Sequence, residues 1–377
     1  MKDMKRAGKR ILPGLVVLTC IALISGGIFL QHPQFGKAPS GARLERIKRS
    51  PHYRDGKFQN EHDTPTFAEG RTFWGELRKS LFNRYPHRSP DSPLPSVKTD
   101  LSNLPLDSTV VIWMGHSSCF IQTGGKRILI DPVFSDNVSP IPGSVQAFQG
   151  TSVYSAADMP PIDYLLITHD HYDHLDYETA LALRDKTARV ICGLGVGAHF
   201  DHWGYSPQQV VEKDWHDREQ VDSAFFISVE PARHKSGRGL RQNNTLWVSF
   251  VIQARGFSIF VSGDGGYDQH FAAIGEKFGP IDLAILENGQ YDSAWRYVHL
   301  LPEETLQAAG DLKAKKILPV HHSRFALAHH PWREPLDRIV HADGALQKPV
   351  VITPMIGQTV YPGSATPSFT RWWSDVP

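Results

Sequence analysis

The run Thr168-His169-Asp170-His171-Tyr172-Asp173-His174 gathers imidazoles and carboxylates within seven residues. Its core is H-x-H-x-D-H, with His169, His171, Asp173 and His174 at the ligand-type positions. Such side chains bind zinc-like cations, and burying four of them together with no cation would be costly. On a tight loop they offer one ion two imidazoles, and a neighbouring ion an imidazole and a carboxylate. Two ions about 3.5 to 4 Å apart acidify a shared water and draw charge off a substrate oxygen. A phosphorus or carbonyl centre can then be hydrolysed without a Ser or Cys nucleophile. Of the 19 histidines, His199, His202, His216, His270, His329 and His330 read as ordinary polar residues.

Polar residues sit past the ends of apolar strands at four places. His169 follows Leu165-Leu166-Ile167, His234 follows Ile227-Ser228-Val229, Asp264 follows Phe260-Val261, and His321 follows Leu318-Pro319-Val320. Strand ends meet at one sheet edge, which gives distant segments a rigid common base. Taken singly, His234, Asp264 and His321 read equally as ligands or as satisfied polar residues, and Asp264 in Ser262-Gly263-Asp264-Gly265-Gly266 also as a turn former. Val110 to Met114, Cys119 to Thr123 and Arg127 to Ile130 read as a meander turning at Gly124-Gly125. Tyr164 to Ile167 is a buried-type strand, followed by a helix over Tyr177 to Leu183 with Asp176 as N-cap. Later strands alternate with helices at about Asp268 to Phe278 and Glu303 to Leu312. The pattern predicts an α/β fold, sheets covered by helices.

The T-H-x-H-x-D-H-L-D run at Thr168 to Asp176 resembles the signature of the metallo-β-lactamase superfamily. Within it, the chain is similar to the branch of N-acylphosphatidylethanolamine-hydrolysing phospholipase D and its bacterial relatives. That closer likeness is carried by Trp113-Met114-Gly115-His116-Ser117, Ile130 to Ser135, Pro231-Ala232-Arg233-His234, Ser262 to Tyr267 and His321 to Ala328, in that order. The resemblance implies a four-layer αββα sandwich. It also implies two zinc ions, one on His169, His171 and His234, the other on Asp173, His174 and His321, with Asp264 bridging them. Asp264 and Asp173 would be the catalytic carboxylates, with Asp264 or a water on the second metal donating a proton to the leaving group. Tyr172, His299 and Arg324 would face the substrate, and His116 would lie behind the metals. Ser323-Arg324 departs from the branch, which has smaller residues there.

Forty basic against 39 acidic side chains give a net charge of +1, so no global field draws in nucleic acid. Cys20, Cys119 and Cys192 make no disulfide framework, and the last two read as unpaired core thiols. A basic tail over 1–10 precedes an uncharged run from Ile11 to Leu30, which is about long enough for one membrane crossing. This predicts a single-pass anchor with the catalytic domain on the periplasmic or extracytoplasmic side. Residues 31–100, rich in proline and basic residues, read as a linker and irregular extension with one short helix from Thr72 to Phe82; 101–377 form the hydrolase domain. The expected function is cleavage of a phospholipid phosphodiester beside a membrane. Alternatives are a sugar-phosphate or signal lactonase, and a membrane-tethered protein that binds without turnover.

Overall fold

The computed structural model describes residues 2–83, 85–343, 349–364 and 369–377, with the side chains of 2–15, 81 and 343 outside that description. Two seven-stranded sheets form the frame. In the first, Thr359–Val360, Val110–Trp113, Cys119–Thr123 and Lys126–Ile130 pair antiparallel. Ile162–Ile167, Thr187–Gly193 and Val210–Lys213 then continue it in parallel. The second begins antiparallel with Arg218–Asp222, Phe225–Glu230, Ser249–Ala254 and Phe257–Val261. It becomes parallel through Leu283–Glu287, Lys316–Val320 and Val350–Val351.

Side chains along a strand alternate between two faces, and here both faces are apolar. Val111, Trp113, Ile121, Ile128 and Leu166 of the first sheet share a core with Ile227, Phe250, Ile259 and Ile285 of the second. Their neighbours Val110, Ile112, Phe120, Leu165 and Val190 point outward, onto Ala180, Leu183 and Phe200 of the helices Tyr177–Leu183 and Gly197–His202. On the far side, Phe260, Ala284 and Ile317 meet Phe271, Leu306, Ala309 and Ile339 from His270–Phe278, Pro302–Asp311 and Glu334–Asp343. Cys119 and Cys192 are free and buried.

The helix after the histidine run spans Tyr177–Leu183, but Asp176 does not cap it with its side chain. Its carboxylate accepts Ser135 N–H at 3.0 Å instead, tying the helix start to the loop after the third meander strand. The 31–100 extension is laid onto the sandwich: it contributes buried Ile47, Phe58 and Leu94 to the inter-sheet core. Its helix spans Phe73–Phe82, with Thr72 Oγ1 accepting Gly75 N–H at 3.2 Å.

The anchor expected over Ile11 to Leu30 is overturned. Among the described residues no helix is long and apolar enough to cross a membrane. The first helix, Lys2–Phe29, opens on Lys2, Lys5, Arg6, Lys9 and Arg10, and its described side chains start at Val16. The periplasmic placement built on that anchor falls with it, and the basic tail over 1–10 lies outside the described side chains.

Candidate metal centre

Lys126–Ile130 runs parallel to Ile162–Ile167, and Phe257–Val261, Leu283–Glu287 and Lys316–Val320 lie parallel in the other sheet. The residues at or just past their ends, Asp131, Thr168-His169, Asp264, Glu287 and His321, converge. Asp131 organises the first loop: its carboxylate accepts Thr168 N–H at 2.8 Å and Thr168 Oγ1–H at 2.6 Å, and lies 2.8 Å from His174 Nδ1. Gly263 packs Asp264 against the same loop. Its φ is +60°, and a Cβ there would stand 2.7 Å from Thr168 Cβ, so only glycine fits without displacement.

Three imidazole nitrogens gather first: His171 Nδ1 is 2.9 Å from His169 Nε2 and 3.3 Å from His234 Nε2. His234 Nδ1 donates to Val298 O at 2.9 Å, so its Nε2 presents a lone pair. A second group joins Asp173, His174 and His321 with His116. His116 Nε2 and His321 Nε2 lie 2.9 Å and 3.3 Å from Asp173 Oδ2. Asp264 spans the two groups: Oδ1 is 3.1 Å from His174 Nε2, and Oδ2 is 3.1 Å from His321 Nε2 and 3.9 Å from His234 Nε2. All seven expected ligands are therefore brought together.

The donor set fits two transition-metal ions. His174 Nε2 and Asp264 Oδ1 are buried and near each other, yet neither has a hydrogen-bond partner. Asp131 behind His174, Val298 O behind His234 and Glu287 3.3 Å behind His321 Nδ1 bind the outer ring nitrogens and turn the inner ones to the centre. That is the outer-shell pattern of metal-binding histidines.

Charge divides the groups. Burial, with the neighbouring imidazoles, holds His169 well below its usual range. Burial does the same to His234 and lowers His171 to about 4, so these three are neutral donors. In the second group, burial is outweighed: Asp264 and Asp173 raise His174 to about 10. Against burial again, Asp264 and Asp173 raise His321 well above its normal value. Asp173 and Asp264 are held far below the usual carboxylate range despite burial, chiefly by His174. Protons there stand where a cation would.

The expected substrate-facing residues fall in three different places. His299 is at the centre, its Nδ1 against Glu287 Oε1 and 3.9 Å from Asp264 Oδ2. Tyr172 turns away, its hydroxyl donating to Arg238 O at 2.6 Å and its ring lying 4.1 Å below the Arg238 guanidinium carbon. Arg324 is buried among backbone oxygens, 3.2 Å from Met114 O and 3.4 Å from Thr151 O. Asp131 and Glu287 were not singled out from the sequence as site residues. The signal existed, since each ends an apolar strand just as His169 and His321 follow one.

The chain is similar to several known proteins. The family described as beta-lactamase superfamily domain matches residues 126–322. An uncharacterised protein of Mycobacterium tuberculosis is 37% identical over 363 residues, covering 93% of this chain and 96% of the relative. The N-acyl-phosphatidylethanolamine-hydrolyzing phospholipase D, mitochondrial, of Saccharomyces cerevisiae is 34% identical over 238 residues, covering 60% of this chain and 50% of the yeast protein. Among solved structures, the isothiocyanate hydrolase from Delia radicum gut bacteria superposes with a TM-score of 0.53 at 15% identity, over 67% of this chain and 98% of that one, a likeness of fold.

Proposed function

The chain belongs to the metallo-β-lactamase superfamily as one of its metal-dependent hydrolases, and from that premise we propose that it hydrolyses a phospholipid phosphodiester with two zinc ions. The observation that carries this reading is the pair of ligand groups spanned by Asp264, an arrangement suited to holding the attacking and leaving oxygens of an in-line displacement. Nitrogen and carboxylate donors without sulfur suit zinc at both positions. The lipid part rests on the likeness to the yeast phospholipase D.

When bound, the ions supply an acidified water and withdraw charge from the phosphoryl oxygens. The protein's own groups do the rest. His169, His171 and His234 would hold one ion as neutral donors, and Asp173, His174 and His321 would hold the other. Asp264 takes the water's proton and returns it to the leaving alkoxide. With Nδ1 fixed on Glu287, His299 keeps Nε2 for a substrate oxygen. Tyr172, turned onto Arg238, braces the loop that carries His171 and Asp173. Arg324 supports the site from beneath, against the backbone of residues 114, 135 and 151.

Water labelled with heavy oxygen tests the reading on the full chain loaded with zinc. With N-acylphosphatidylethanolamine, the water oxygen joins phosphorus, the bond from phosphorus to the ethanolamine oxygen breaks, and that oxygen takes a proton. The label is expected in phosphatidic acid and absent from the N-acylethanolamine. Ready opening of lactones with no phosphatidic acid from any lipid would overturn the phospholipase reading and leave a lactonase.

A further inference from the structure

The segment just after the first helix is pinned to the metal loop by hydrogen bonds that cross most of a domain in sequence. Trp203 Nε1–H donates to Pro33 O at 2.8 Å. The Arg238 guanidinium grips Gln34 O twice, at 2.9 Å and 2.7 Å, while also donating to Asp170 O at 2.8 Å. Lys37 N–H donates to His199 Nδ1 at 2.9 Å. That bond makes Nδ1 an acceptor, so His199 carries its proton on Nε2 and donates it to Asp170 Oδ2, 3.1 Å away. The other oxygen of Asp170 accepts Gly237 N–H at 2.6 Å.

Asp170 stands between the ligands His169 and His171, and Gly237 lies three residues past the ligand His234. One buried carboxylate thus ties together the two loops that carry all three histidines of the first ligand group. The side chains of the second group are braced by other residues, Asp131, His116 and Glu287, and there the strap reaches only a backbone oxygen, Leu175 O, which Arg238 holds at 2.6 Å.

We infer that Pro33 to Lys37 is a positioning strap for one of the two metals: through His199 and Asp170 it sets the spacing of His169, His171 and His234, and not that of the Asp173, His174 and His321 group. The inference rests on the two-metal reading. His199, which by itself looks like an ordinary polar residue, is the link.

Glycine at position 36 shows how close the fit is. Its φ is +68°, and a Cβ would sit 2.0 Å from His199 Nδ1. Gly41 has a similar φ of +56° but nothing within 4 Å of that position. Gly36→Ala therefore adds backbone strain and a collision with His199, whereas Gly41→Ala adds the strain alone.

The test measures zinc equivalents and affinities of full-length protein by chelator competition, alongside melting of the metal-free form. Wild type is expected to bind two zinc ions. Gly36→Ala and His199→Leu should weaken one of them roughly 10- to 100-fold, as loss of an outer support does, and leave the other unchanged. Gly41→Ala should keep both, and so should His199→Gln, whose amide can still donate to Asp170. Equal weakening of both ions, or unchanged binding in folded Gly36→Ala and His199→Leu proteins, would overturn the strap. Should Gly36→Ala fail to fold, the His199→Leu and His199→Gln pair decides. Wild type binding no zinc would instead overturn the two-metal reading, and the strap with it.

Discussion

Asp264 touches both halves of the centre, and its charge has consequences apart from catalysis. Without metal it is the leading influence that raises His174 to about 10 against burial, and it likewise holds His321 up. Asp264→Asn keeps the volume and removes that charge. We expect hydrolysis to fall by about 100-fold or more and zinc to drop below two equivalents, by the scale of known losses at metal supports. In the metal-free variant, the His174 resonance in an NMR titration should move from about 10 towards ordinary imidazole values. A titration left near its starting point would mean that other groups set the charge of this cluster. Glu287 and His116 show the same principle at a distance: each meets a ligand or its neighbour through a single well-placed atom.

At the scale of elements, the centre depends on how closely strand ends approach one another. Gly263 is where the turn after Phe257–Val261 meets Thr168. Gly263→Ala forces both the left-handed backbone and a collision at 2.7 Å. Denaturant unfolding of the metal-free variant should show a loss of at least about 2 kcal/mol. Gly256→Ala, at φ +84° with nothing within 4 Å, carries the backbone term alone and should cost about 1 kcal/mol. Equal losses in the two variants would show that the contact with Thr168 is soft. The strands and the Gly-Gly turn were legible in sequence because each is a local pattern of apolar runs and turn residues, whereas their parallel or antiparallel pairing was not. Asp176 was less so: it occupies the cap position, but a backbone N–H 41 residues away competes for its carboxylate.

For the whole molecule, buried histidines set the response to acid. Burial lowers His270 to about 4 and His322 to about 3, whereas an unfolded chain titrates them near 6.5. Below about pH 6.5 the unfolded state takes up protons that the native state refuses, so these groups erode stability as the pH falls towards 4 and then 3. His174 acts in the opposite sense. Its native value near 10 contributes stability that is complete below about pH 6.5 and is lost as the pH rises towards 10. Chelator-treated protein should therefore weaken on both sides of about pH 6, measured by urea unfolding. His270→Leu should remove up to about 1.4 kcal/mol per pH unit from the acid limb, and an unchanged slope would exclude His270 from it.

The sequence by itself determined the ligand chemistry. The H-x-H-x-D-H run identifies candidate metal donors because donor type is a local property, whereas His234, Asp264 and His321 past their apolar strands were assigned as ligands only through the family resemblance. It also showed a long apolar run near the N-terminus that predicts an anchor, but among the described residues no helix is long and apolar enough to cross a membrane. Only the tertiary structure decided which groups orient those donors. Asp131 reaches His174 over 43 residues, and His199 receives Lys37 over 162. It also turned Tyr172 onto Arg238 and buried Arg324 among carbonyls. These pairings come from packing two sheets and an N-terminal strap into one body, and no local spacing encodes a hydrogen bond between residues so far apart.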